Sequence, residues 1–380
     1  MGKEEVMAAD INKRLSQLRA RRDGTDRVAM DESVQREILA KALYPSLEPW
    51  EKRGNANQPH TRYAMGAMQP VSDTYTRVSH ETADRVANQL RDRLAKAGIT
   101  AEFRLQGSVP LDVHIRRVSD VDLLAIDTSV LTYMTHGIKA QSGDYVPTTR
   151  TSAGVLSQLR DQIEVDLDAA FPAADLDTNG SKAVKISGGS LPRSVDVVPA
   201  HWLDSVEYQS SGHEVDRGVK IYNKSTGQTI ENFPFLHIAR IKARCDSVGG
   251  GLRKAIRLCK NVKADADQDI TLPSFDIAAT MYHANTTALQ LGQYFELAVL
   301  AETQRFLDVL ARNIGYAKKL MVPDGSRTIF DSEEKLAGLV NLSIEMDELL
   351  RNVYEENAPK WQANIKSPSE MRDAVRVLAI

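Results

Sequence analysis

Residues 105–127 read LQGSVPLDVHIRRVSDVDLLAID. Phe103, Arg104 and Leu105 lead into this stretch as a strand, and Gly107-Ser108 makes a small flexible pair directly after it. Asp120-Val121-Asp122 follows, and then the apolar Leu123, Leu124, Ala125 and Ile126. Alternate residues of a strand point to one face, so Asp120 and Asp122 present two carboxylates side by side. With no Lys or Arg next to them on that face they repel each other. A divalent cation removes the conflict, and Mg²⁺ is commonly held by one or two carboxylates together with substrate phosphates. Gly107 permits close backbone approach, and Ser108 offers a hydroxyl and an N–H to a phosphate oxygen. The stretch reads as a nucleoside-triphosphate and metal site, with Gln106, Gly107 and Ser108 on the nucleotide side.

An Asp-x-Asp alone in a strand is common, and a lone Gly-Ser is usually a turn. Their combination, with eleven residues between Ser108 and Asp120 and apolar residues flanking the carboxylates, is much rarer. It resembles the signature of the DNA polymerase β-like nucleotidyltransferases, in which a third Asp comes from a later strand. Residues 193–200, RSVDVVPA, supply one: Asp196 is the single acid inside an apolar, β-branched run. A central-strand Asp is costly to bury unless it is paired or binds a metal; the other reading is a strand-end Asp satisfied by backbone N–H groups.

The chain has 380 residues, 42% hydrophobic and 26% charged, which suits a soluble protein of one or two domains with a full core. A net charge of −3 does not advertise nucleic-acid binding. No apolar run is long enough to span a membrane, and residues 1–20 are too charged for a signal peptide, so a cytoplasmic location is expected. Two cysteines, Cys245 and Cys259, are too few for a disulfide scaffold or a four-ligand zinc site.

Helices are expected over residues 5–22, with Ile11, Leu15 and Leu18 on one face and a solvated basic face opposite, and over 31–43 from Asp31 as N-cap. Residues 45–72 carry Pro45, Pro49, Gly54, Pro59 and Pro70 and read as irregular connection. A helix from Ser79 as N-cap runs to Gly98 at C′ and precedes the strand 101–105. A loop to about residue 149 and a helix over 151–170 follow Asp127. Strands are expected over 183–187 and 194–198, then a hairpin of 218–222 with 228–230. The remainder is helical, broken at Gly249-Gly250-Gly251. In the helix from Leu252, Arg253, Arg257 and Lys260 form one basic stripe. Residues 237–263 hold eight Lys or Arg against the single acid Asp246. A triphosphate needs such a cationic partner, although an ordinary solvated basic helix has the same pattern.

Leu258-Cys259-Lys260, followed by Ser274-Phe275, is similar to the helical domain of the cyclic GMP-AMP synthase and oligoadenylate synthase branch. Asn232-Phe233-Pro234 and residues 321–325, MVPDG, look like the bacterial members, the CD-NTases, which make cyclic oligonucleotide signals in antiphage defence. The resemblance covers most of residues 79–325. It implies an α+β fold: a nucleotidyltransferase core with a small mixed sheet over residues 76–233, and a C-terminal helical domain over 234–380. The active site would lie in the cleft between them, and residues 1–75 would pack on the core as a helical region. It further implies that Lys260 and Ser274 contact phosphates and that Phe275 stacks on a base, core packing being the other reading of Phe275. Asp120, Asp122 and Asp196 would hold two Mg²⁺ ions, with Mn²⁺ able to substitute, and Asp196 would take the proton of the attacking hydroxyl. The implied substrates are ATP and GTP, and the product a cyclic di- or trinucleotide read by a separate effector protein. The alternatives are a linear-product RNA nucleotidyltransferase of the CCA-adding or oligoadenylate type, or a transferase that modifies a partner. The zinc insertion of the animal enzyme has no counterpart, which argues against double-stranded DNA as an obligate activator. His114 has no role in this reading, and Arg116 and Arg117 read as solvated loop charges.

Overall fold

The computed structural model describes residues 3–23, 48–53, 57–116, 118–358 and 367–380. The helix expected over 31–43, and Arg117, lie outside the described residues. The molecule is α+β. Strands β1 (Ala101–Gln106), β2 (Val121–Tyr133), β3 (Asp175–Asp177), β4 (Val184–Ser187), β5 (Val195–Asp204), β6 (Gly218–Asn223) and β7 (Gln228–Asn232) form one mixed sheet. Its order is β1-β2-β5-β4-β3, with β6 also on β5 and β7 on β6. The β2–β5 pair is parallel and the others are antiparallel.

Helices α1 (Lys3–Asp23), α2 (Pro59–Met68) and α3 (Asp73–Lys96) precede the sheet, and α4 (Ile138–Gln141) and α5 (Ser152–Ala170) lie between β2 and β3. The short α6 (Val206–Ser211) follows β5. After the sheet come α7 (Pro234–Ser247), α8 (Gly251–Asp265), α9 (Ser274–Tyr282), α10 (Thr286–Leu291), α11 (Leu297–Arg312), α12 (Ile314–Ala317), α13 (Glu333–Asn357) and α14 (Pro368–Val375).

Strand parity sorts the core. Val121, Leu123 and Ala125 of β2 and Val195 and Val197 of β5 bury against Val86, Leu90 and Leu94 of α3 and Leu156, Leu159 and Ile163 of α5. Leu124, Ile126, Val198 and Ala200 point the other way and bury with Trp202, Val219 and Ile221. Each fully buried Leu, Ile or Val side chain here stabilises the fold by about 1.5–3 kcal/mol.

Three expectations change. Helix α3 begins at Asp73 rather than at Ser79, because Ser72 accepts the N–H of Tyr75 at 3.2 Å while the Ser79 hydroxyl donates back to the Tyr75 carbonyl within the helix. Its other end is as read: Gly98 has φ +77°, and the N–H of Ile99 reaches the carbonyl of Leu94 at 2.8 Å. Strand β2 runs past Asp127 to Tyr133 through a register shift between Asp127 and Leu131. Residues 59–68 are helical, since Pro59 stands in the first turn, where its missing N–H has no partner to lose.

The N-terminal helices were expected on the sheet-bearing core. They share instead one buried cluster with the C-terminal helices, including Ile11, Leu15, Tyr63, Met65, Leu258 and Val262. Polar ties follow the same route. Arg21 and the Tyr63 hydroxyl both donate to the buried Asp265 at the end of α8. Glu356 of α13 accepts the N–H groups of His60 and Thr61 at the start of α2. The basic face of α1 is accordingly not just solvated: Arg14 and Arg21 are buried on Glu345 and Asp265.

Candidate active site

Asp122 and Asp196 have the parity of Leu124 and Val198, so they stand on the sheet face that looks toward the C-terminal helices. The parallel register pairs them directly, and the antiparallel register places Gln106 opposite Asp122. Neighbouring strands lie about 4.8 Å apart, so the two carboxylates are immediate neighbours. Asp120 sits just before β2. Its two oxygens accept from Lys185 Nζ at 2.5 Å and from the Ser194 hydroxyl.

The charges answer to this crowding. Burial, followed by the charges of Asp196 and Asp120, pushes the Asp122 carboxyl up to about 7. Burial and the charge of Asp120 also raise Asp196. Lys185 is raised: burial works against its charge, but the hydrogen bond and charge of Asp120 outweigh it. The sequence reading saw no cation beside the carboxylates; Lys185 corrects it. It comes from β4, where the register places it opposite Asp196. The missed signal is the one charge between Val184 and Ile186 in a short strand next to a carboxylate strand.

Gly107 is required here on two counts. Its φ is +75°, and a Cβ added to it would lie 2.0 Å from Asp122 Oδ2. The glycine lets the loop after β1 close over the carboxylate.

A cleft of about 340 Å³ brings together all nine expected residues: Gln106, Gly107, Ser108, Asp120, Asp122, Asp196, Lys260, Ser274 and Phe275. Ser119, Asn232 and His237 also line it and were missed. His237 is buried, which lowers it to about 4, and its ring stacks on Phe275 at 4.0 Å and 20°. Phe275 is half-buried: it packs against the helical core, and the Arg327 guanidinium stands 5.4 Å from its ring centre.

Of the eight cations in residues 237–263, Lys260 alone lines the cleft. The others are largely spoken for by backbone carbonyls: Arg240 by Pro323, Arg244 by Tyr282, Arg253 by Leu111, Arg257 by Met68 and Asp112, and Lys263 by Leu272. The basic stripe is thus not a solvated face. Lys260 is 2% exposed, and burial lowers it to about 8, so it remains mostly charged at neutral pH. Its ammonium donates to the Val113 carbonyl at 3.0 Å and the Ser119 hydroxyl at 2.9 Å. Arg116 also departs from the reading. It is buried with its guanidinium 4.6 Å from the Tyr75 ring centre. His114 is buried beside the same ring and held near 4 by burial and by Lys260.

Among the described residues no three metal-ligating side chains are gathered as a ready-made ion site, and Asp120 is held by Lys185 and Ser194. The donor set still fits a hard divalent cation. It is all oxygen, two carboxylates are in register, and a protein cation stands against the third. No helix of the described residues is long and apolar enough to cross a membrane.

No family model matches the sequence. The chain is 44% identical over 356 residues to a cyclic dinucleotide synthase CdnE from Yersinia aleksiciae, covering 90% of this chain and 92% of the relative. It is 32% identical over 259 residues to a c-di-GMP synthase from a Lachnospiraceae bacterium, covering 63% of this chain and 73% of the relative. Among solved structures, a STING-associated CdnE c-di-GMP synthase from Capnocytophaga granulosa superposes with a TM-score of 0.67 at 27% identity, covering 91% of this chain and 99% of that one.

Proposed function

Because the chain belongs to the CdnE cyclic dinucleotide synthases of the CD-NTase family, which are nucleotidyltransferases, we propose that it joins ATP and GTP into a cyclic dinucleotide, a signal for a separate effector protein in antiphage defence. The supporting observation is the single cleft that holds the Gly107-Ser108 turn, the three carboxylates and Lys260. The linear-product and partner-modifying alternatives are not favoured by the Yersinia aleksiciae cyclic dinucleotide synthase, which is matched over 92% of its length.

In this proposal Asp120, Asp122 and Asp196 hold two Mg²⁺ ions, or Mn²⁺. Those ions would lower the pKa of the attacking ribose hydroxyl and neutralise the leaving pyrophosphate. The residues do the rest. Ser108, with the backbone at Gly107, orients the donor triphosphate; Lys260 neutralises charge on its outer phosphates and the Ser274 hydroxyl donates a hydrogen bond to them. The ribose oxygen attacks the α-phosphorus, the bond to pyrophosphate breaks, and the hydroxyl proton passes to Asp196, whose raised basicity suits it to accept. Phe275, backed by His237, supports a base. A second transfer in the same cleft closes the ring. The division into residues 1–75, 76–233 and 234–380 is part of this proposal, with the first segment seated on the third.

The test is incubation with NTPs labelled at the α-phosphate and Mg²⁺ or Mn²⁺, followed by phosphatase. A compact, phosphatase-resistant product dependent on two NTPs is expected. A linear ladder, or label incorporated only with RNA or a protein partner present, would overturn the reading.

A further inference from the structure

Helix α8 makes contacts that nucleotide binding by itself does not require. Arg253, Arg257 and Lys260 donate to the carbonyls of Leu111, Asp112 and Val113, at 3.2, 2.7 and 3.0 Å. Three successive carbonyls meet three side chains spaced four and three apart on one helical stripe. In a strand, successive carbonyls point in opposite directions, so the loop departs from any extended form here. Asp112 shows the departure: it has φ +54°, the one positive value outside glycine among the described residues. That conformation is strained for a residue with a Cβ and persists only where its surroundings over-determine it.

The loop so held begins at Ser108 and ends at Asp120, two of the cleft residues. It is tied internally by Val113 N–H to Ser108 O and by the Ser119 hydroxyl accepting Ile115 N–H, so a shift at its middle reaches both ends. Arg257 has a second arm, Nε to Met68 O at 2.8 Å, and its neighbour Asn261 donates to Ala67 O at 2.9 Å. These two carbonyls close the C-terminus of α2, whose last turn has no helical partner for them. Arg257 is 4% exposed and stands outside the cleft lining.

We infer that Arg253 and Arg257 are positioning residues: from the helical half they rack the 108–120 loop into the conformation that sets Ser108 and Asp120 at their working separation. The kinetic part of this inference rests on the nucleotidyl-transfer reading; the conformational part does not.

The test combines hydrogen exchange with steady-state kinetics on Arg257→Met, Arg257→Lys and Arg253→Met in the full chain. In Arg257→Met the amides of residues 108–120 exchange faster while those of α3 do not. At saturating metal, kcat falls about 10²-fold with NTP KM within about threefold, as expected when reacting groups are misplaced but binding survives. Arg257→Lys, with one arm, recovers part of the loss. If Arg257→Met does not fold, Arg253→Met, whose side chain is partly exposed, carries the same measurements with a smaller loss. Loop amides that exchange as in the parent, or a loosened loop with unchanged kcat, would overturn the inference. A parent protein inert toward every NTP would count against the nucleotidyl-transfer reading instead, and exchange would still decide the state of the loop.

Discussion

Asp122 carries the sharpest consequence at the scale of a single side chain. Its carboxyl is raised to about 7 by burial and by Asp196 and Asp120. The folded protein therefore holds a proton that the unfolded chain has already released, and metal-free stability falls as pH rises from about 4 to about 7. Asp122→Asn removes that loss. We predict a variant without turnover whose melting temperature in EDTA is at or above the parent's at pH 8, with the two converging toward pH 5. A melting temperature well below the parent's at pH 8 would show that the carboxylate is held by favourable contacts instead. Lys185 works in the opposite sense, since its charge lowers both Asp122 and Asp196 against their mutual repulsion. Lys185→Met should move the acid limb of the pH–rate profile to higher pH, and at pH 7 the variant should need more Mg²⁺. An unmoved limb would remove Lys185 from the site's electrostatics. The pair Asp122 and Asp196 was legible because an isolated acid in an apolar run is conspicuous. Lys185 was not, because the strand that carries it is short and its neighbour is fixed only by sheet order.

Among the elements, α3 and the turn after β1 give a controlled comparison. Gly98 and Gly107 have almost the same φ, +77° and +75°, but nothing lies within 4 Å of a Cβ at Gly98 while Asp122 blocks one at Gly107. Gly98→Ala should cost about 1–2 kcal/mol of stability and leave kcat unchanged, since only the left-handed backbone is penalised. Gly107→Ala should cost a similar amount and also abolish turnover by displacing the carboxylate. Denaturant melts and kcat measured on both variants separate the two effects, and equal kcat losses would refute the comparison. The C-terminus of α3 was readable because a glycine at C′ has a fixed backbone demand. Its start was not, because Ser72 and Ser79 are both good caps by composition and only one faces an unpaired N–H. The same limit hid α2: prolines read as breakers unless one knows which of them stands in a first turn. The continuation of β2 was concealed by Thr128 and Ser129, where Asp127 accepts the Ser129 N–H and the strand resumes after the irregularity.

Across the whole molecule the cleft exists because one sheet face and one helix bundle meet over it. The bundle was foreseeable in outline from its periodicity. What the N-terminal helices pack on was not, because an amphipathic stripe does not name its partner; the Arg21, Tyr63 and Asp265 cluster does. That bundle also encloses both cysteines. Burial pushes Cys245 up to about 11 and Cys259 up to about 12, and both are free and buried. Native protein should therefore react with a thiol reagent at neutral pH only on the timescale of unfolding, and both thiols should label at once in denaturant. Rapid labelling of the native protein would mean that the bundle opens far more readily than its packing implies.

The hydrogen bonds that close the site have long reach along the chain. Ser194 meets Asp120 across 74 positions, and Lys260 meets Ser119 across 141. Chain closure over such spans is paid for before any contact rewards it. During synthesis, then, the carboxylates cannot be assembled until β5 has left the ribosome, and the loop that leads from Ser108 to Asp120 cannot be braced until α8 has followed. A nascent chain passes through most of its length chemically silent, and competence arrives late, in the order in which those two elements emerge.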